Sequence, residues 1–146
     1  MEKHRVYDII IVLCCMKTEM ILQNGGFMRQ ILVVDDNSAN LQMVRGILQR
    51  QYQVTPVNNG ERALQFLERK TADLILLDIM MPGMDGLETL KRIKEKPECK
   101  EIPVIMLTGL GDEEMLNACL EQGAVGVIHK PFLPDKMFSM IEETLS

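Results

Sequence analysis

The sequence predicts an α/β fold: a doubly wound, five-stranded parallel sheet covered by helices on both faces. Three observations predict it. From Met28 onward, a short apolar run, a turn and an amphipathic helix recur five times. Two of the runs, Asp73–Leu77 and Ile102–Leu107, are apolar without alternation, the pattern of strands buried on both sides. The chain has 146 residues, which is room for one ordinary domain and a short extension.

Gln30–Val34 is the first run. A helix over Ala39–Arg50 follows, with Leu41, Val44, Ile47 and Leu48 on one face and Asn37 or Ser38 as its cap. Gln53–Val57 is the second run; Pro56 lacks the N–H a central ladder needs, which places this strand at an edge. Glu61–Arg69 is a helix that turns Ala63, Leu64 and Leu67 inward. Asp73–Leu77 is the third strand and Gly86–Glu95 the third helix. Ile102–Leu107, Glu113–Gln122 and Val125–Ile128 supply strand, helix and strand. Asp135–Leu145 closes the chain, with Met137, Phe138, Ile141 and Leu145 on its inner face.

Residues 1–27 read differently. Lys3, His4 and Arg5 precede an apolar run, Ile9–Met16, too short to span a bilayer and followed by no small-residue cleavage site. The Asn24-Gly25-Gly26 turn marks a boundary before Met28. The chain therefore divides into an extension, 1–27, and a folded domain, 28–146. The extension is a packed strand or helix, a stretch without function or, least favoured, a membrane-related segment.

Composition excludes several classes of function. Hydrophobic residues make up 47% and charged residues 25%, a globular balance. Sixteen Lys and Arg against 21 Asp and Glu leave a net charge of −5, the wrong sign for nucleic-acid backbones. With no Trp and six Phe and Tyr, base stacking has little to use. Cys14, Cys15, Cys99 and Cys119 show no metal-ligand spacing, and with two histidines they point to idle thiols in a reducing cytoplasm.

In a sheet of this kind, ligands sit beyond the carboxyl ends of the strands. There the sequence places Asp35-Asp36, Asp78, Thr108-Gly109 and Lys130-Pro131. Taken singly, each is an ordinary cap, turn former or solvated charge. Together they make three carboxylates, a hydroxyl and an ammonium at one edge. Three carboxylates in a small pocket repel one another, and a divalent cation with hard oxygen ligands, Mg²⁺, removes that cost. One carboxylate can then attack a phosphoryl group, with Thr108 and Lys130 serving the added charge. The spacing suits a phosphoryl acceptor.

With these residues in view, 28–146 resembles the receiver domain of two-component response regulators. Ile31-Leu32-Val33-Val34-Asp35-Asp36-Asn37 resembles the family's acidic-pair segment. Asp78-Ile79-Met80-Met81-Pro82-Gly83-Met84-Asp85-Gly86 resembles its phosphoacceptor loop. Met106-Leu107-Thr108-Gly109 and Lys130-Pro131-Phe132 resemble its hydroxyl and lysine–proline segments. The resemblance implies a flavodoxin-like or CheY-like (βα)5 fold, strand order 2-1-3-4-5, and a cis peptide before Pro131. It implies that Asp78 takes the phosphoryl group from a phosphohistidine on a sensor histidine kinase or histidine phosphotransfer protein. Asp35, Asp36, Asp78 and the backbone carbonyl of Met80 would hold Mg²⁺, one aspartate of the pair through water. Thr108 would turn towards the phosphoryl group and Lys130 would pair with it.

The expected function is thus that of a single-domain, cytoplasmic response regulator. It is a phosphoacceptor that catalyses its own phosphorylation and dephosphorylation, not a turnover enzyme. Its output is a downstream protein target, without nucleic acid or membrane insertion; a homodimer is left open. Two features set this chain apart. Val127 stands where the family usually carries Tyr or Phe, so no aromatic flip reports phosphorylation. Met80 and Leu110 flank the site with apolar side chains that cannot orient a water, which predicts slow loss of phosphate.

Other readings are weaker on the same residues. A receiver-like interaction module without phosphorylation usually lacks an acidic residue or the lysine, and a native extension over 1–27 argues mildly against a receiver cut from a hybrid kinase. A flavodoxin-like cofactor binder would want Ser, Thr and Gly where Asp35-Asp36-Asn37-Ser38 stands. An aspartate-based phosphatase would want a second Asp at position 80.

Overall fold

The computed structural model describes residues 28–146. The extension proposed over 1–27, with its apolar run, lies outside them. Among the described residues, five strands and five helices alternate. The strands are β1 (Gln30–Val34), β2 (Gln53–Val57), β3 (Leu74–Asp78), β4 (Val104–Thr108) and β5 (Gly126–His129). The helices are α1 (Ser38–Leu48), α2 (Gly60–Arg69), α3 (Gly86–Glu95), α4 (Glu113–Glu121) and α5 (Pro134–Leu145). All strand pairs are parallel, in the order β2-β1-β3-β4-β5. β2, with Pro56, is an edge strand as expected.

Side-chain parity in the strands builds the two cores. Leu32, Val34, Ile75, Leu77, Val104 and Met106 point to one face, where α2, α3 and α4 cover them with Ala63, Leu67, Leu90, Ile93 and Cys119. The alternate residues Ile31, Val33, Leu74, Leu76, Ile105 and Leu107 point to the other, under Val44 and Leu48 of α1 and Met137 and Ile141 of α5. Every residue of β3 and β4 is buried, which is why their runs show no polar alternation. Leu41, Ile47, Leu64, Phe138 and Leu145, expected inside, are only partly buried and sit at the core margins.

Local chemistry fixes the helix starts. Asn37, Asn59 and Asp85 each accept, through the side chain, the backbone N–H three residues on, at 3.0, 2.7 and 2.9 Å. α5 opens on Pro134, whose missing N–H costs nothing in a first turn. Several boundaries shift from the sequence reading. β3 and β4 run on to Asp78 and Thr108, because these polar residues still pair with or follow Leu107 in the ladder. β4 begins at Val104, after Pro103, although Ile102 remains buried. β5 runs Gly126–His129, one residue later than expected.

Candidate functional site

The site forms where the strands end. Asp35 follows β1, Asp78 is the last residue of β3, Thr108 the last of β4, and Lys130 follows β5. Parallel pairing in register brings these four ends to one edge. Asp35, Asp78 and Thr108 are 1%, 3% and 2% exposed, an unusual burial for two carboxylates and a hydroxyl. Asp36 is exposed beside them.

Hydrogen bonds hold the carboxylates in place. Asp35 Oδ1 accepts from Asn37 N at 3.0 Å, and Asp35 Oδ2 accepts from Asn40 Nδ2 at 3.1 Å. Lys130 Nζ donates to Asp78 Oδ1 at 2.8 Å and lies 3.7 Å from Asp35 Oδ2. The backbone behind Lys130 is tied to β4, since Lys130 N donates to Thr108 O at 2.8 Å. The Lys130–Pro131 peptide is cis, as expected. Gly86 N donates to Ile79 O at 2.7 Å and closes the loop after Asp78. Gly86 is required here, because a Cβ would run into the Asp78 carbonyl oxygen.

One ammonium faces three carboxylates. Burial pushes the Asp78 carboxyl up to about 6; the Lys130 hydrogen bond opposes the rise, and Asp35 and Asp36 add to it. Burial works to lower the Lys130 pKa, but the hydrogen bond and charge of Asp78 outweigh it and leave the ammonium strengthened. Oxygen atoms of Asp35, Asp36 and Asp78 all lie within 4.8 Å of one another. An all-oxygen, partly exposed donor set of this charge fits a small divalent cation that keeps some of its waters.

Thr108 has its hydroxyl bonded within the loop that follows it. Its Oγ1 is 3.2 Å from Asp112 Oδ2 and 3.2 Å from Gly109 O, so its proton is engaged within the β4–α4 loop. Met80 carries a half-exposed side chain beside the acidic cluster, and Leu110 is almost fully exposed. Val127 is half-buried opposite Met106. The sequence reading missed two residues, Asn40 and Asp112. Asn40 lies one helical turn past Asp36, and Asp112 sits at a cap position; both looked like ordinary helix-start residues.

A doubly wound sheet with an acidic cluster and a lysine at its carboxyl edge defines the receiver class, and the comparisons agree. The model of the response regulator receiver domain matches residues 31–142. The two-component response regulator ORR5 of Oryza sativa subsp. japonica is 37% identical over 126 residues, covering 85% of this chain and 93% of that regulator. The signal receiver domain of a signal transduction histidine kinase from Syntrophus aciditrophicus superposes with a TM-score of 0.74 at 36% identity, over 80% of this chain and 89% of that one. The chemotaxis protein CheY4 of Vibrio cholerae does so at 0.75 and 32%, over 80% and 98%. This chain belongs to the response regulator receiver family and acts in phosphorelay signalling. No helix among the described residues is long and apolar enough to cross a membrane.

Proposed function

We propose that this receiver takes a phosphoryl group from a partner's phosphohistidine onto Asp78, in a reaction that requires Mg²⁺, and passes the change on through protein contacts. The observation that carries this reading is the convergence of the Asp35, Asp36 and Asp78 oxygens within 4.8 Å, with Lys130 Nζ 2.8 Å from Asp78 Oδ1. An Asp78 oxygen attacks phosphorus, the bond from phosphorus to the histidine nitrogen breaks, and the imidazole leaves with a proton from solvent. The metal's contribution when bound is positive charge, which offsets the carboxylates and the incoming phosphoryl oxygens. Asp35, Asp36 and Asp78, with the backbone carbonyl of Met80, would hold it. Lys130 follows the charge of Asp78 onto the phosphoryl oxygens. Thr108 supplies a hydroxyl donor once its proton leaves Asp112.

The same residues would catalyse the return reaction with water. Met80 and Leu110 offer no hydrogen bond to orient that water, so the phosphoryl group should be lost slowly. The free, buried thiols of Cys99 and Cys119 accord with a reducing cytoplasmic setting. The test is intact mass after incubation with acetyl phosphate and Mg²⁺. One phosphoryl adduct is expected, absent from Asp78→Asn and from a metal-free control. A protein that is folded and binds Mg²⁺, yet takes no phosphoryl group from acetyl phosphate or a phosphohistidine donor, would overturn the reading.

A further inference from the structure

A further carboxylate lies beside the site, bonded to the Thr108 hydroxyl. Asp112 precedes α4 at the position from which Asn37, Asn59 and Asp85 cap α1, α2 and α3 through their side chains. Asp112 makes no such cap. Its Oδ2 instead accepts from Gly109 N at 2.9 Å and from Thr108 Oγ1 at 3.2 Å. Gly111, with φ at 87°, turns the chain back so that this reach is possible. The cap of α4 is forgone for contacts to the loop.

Thr108 is 2% exposed, so its hydroxyl bonds to protein rather than to bulk water. A hydroxyl has a single proton to donate. Two acceptors lie 3.2 Å from Oγ1, the Gly109 carbonyl oxygen and Asp112 Oδ2, and the charged carboxylate is the stronger; while the proton is given to Asp112, it is not available to an anion on Asp78. We infer that Asp112 is a positioning residue, a competing acceptor that sets how strongly a phosphoryl group must pull to capture the Thr108 hydroxyl. This rests on the reading of Asp78 as the phosphoacceptor. A carboxylate and a phosphoryl oxygen both make charge-assisted bonds, so the competition is close to even, and removing one competitor changes capture by about tenfold.

Beryllium trifluoride, a phosphoryl mimic, tests it by ¹⁹F NMR titration at saturating Mg²⁺. Asp112→Ala should bind the mimic about tenfold more tightly than the unaltered protein, and Asp112→Asn, which keeps an acceptor without charge, should gain less. In a Thr108→Val background the same two substitutions should change nothing. That last arm separates competition for the hydroxyl from simple charge repulsion by Asp112 or from loop damage, since either would persist without the hydroxyl. Equal or weaker binding by both Asp112 variants, or a gain that survives Thr108→Val, overturns the inference while leaving Asp78 as acceptor. Absence of binding to the unaltered protein and to every variant, all folded by circular dichroism, ends both readings.

Discussion

Replacing Asp78 by Asn should stabilise the metal-free protein at neutral pH, although it removes a buried ion pair. Asp78 ordinarily ionises near 3.8, and burial with two neighbouring aspartates raises it to about 6. At about 1.4 kcal/mol per pKa unit, ionising Asp78 in the folded state costs about 3 kcal/mol relative to the unfolded chain. The sign follows from proton counting. Between about pH 4 and pH 6 the folded state holds a proton that the unfolded state has lost, so stability falls as pH rises through that window. Above it the cost is complete. Asn is uncharged and still accepts from the Lys130 ammonium, as the protonated carboxyl would, and the rise to about 6 already includes the Lys130 bond. Asp78→Asn should therefore be about 3 kcal/mol more stable at pH 7.5 in EDTA, and the gap should shrink towards pH 4.5. Urea unfolding across that range measures it. Adding Mg²⁺ at ten times its Kd should return about 1.4 kcal/mol to the unaltered protein and less to the variant. A variant less stable at pH 7.5, or a gap that does not change with pH, would refute the electrostatic account of the site.

Asn40→Ala should weaken Mg²⁺ binding about tenfold by calorimetry, because Asp35 Oδ2 loses the amide that orients it; unchanged affinity would remove Asn40 from the site. Gly86→Ala places a Cβ against the Asp78 carbonyl oxygen and 2.7 Å from Ile79 Cα, backbone atoms that cannot step aside. It should cost about 3 kcal/mol in urea unfolding and slow phosphorylation by acetyl phosphate. Leu76→Ala, in the fully buried central strand, should cost about 2–5 kcal/mol. The phosphoryl group should persist for minutes or longer in purified protein, and Met80→Asn should shorten its life; loss within seconds would show that apolar flanks do not protect it.

How far the fold could be read from the chain depended on how each signal is made. Pro56 marked the edge strand by chemistry alone, and the unbroken runs of β3 and β4 announced strands buried on both faces. Strand ends were harder, since Asp78 and Thr108 are polar and interrupt an apolar run while remaining inside it. For the same reason these residues stood out as candidates for chemistry. What the sequence withheld was contact through loops. The Asn40–Asp35 bond crosses from α1 back to the end of β1, and Asp112 reaches Thr108 only because Gly111 reverses the chain. Neither depends on a period or a propensity, so neither leaves a pattern in the order of residues.

On the reading of Asp78 as the phosphoacceptor, Val127 narrows the ways in which its phosphorylation is felt elsewhere. It has no ring to swing, and it lines, with Ile128, Leu133, Lys136 and Met140, a cavity of about 260 Å³ beside β5. Gly126 next to it is packed by Met140, whose sulfur would lie 2.9 Å from an added Cβ, so α5 already occupies the space over the strand. The strand ends themselves are locked by ladder bonds and by two buried cores. The Thr108 hydroxyl and the turn at 109–111 are different, being held by the two bonds to Asp112 and carrying the exposed Leu110. Moving a two-state equilibrium from one-tenth to nine-tenths requires about 2.6 kcal/mol. Exchanging Asp112 for phosphoryl oxygens as acceptor of one proton is close to even and supplies only a fraction of that. On the proposed reading, the β4–α4 loop is the element that responds, and it responds as a graded shift in population, with Leu110 carried from one setting to the other.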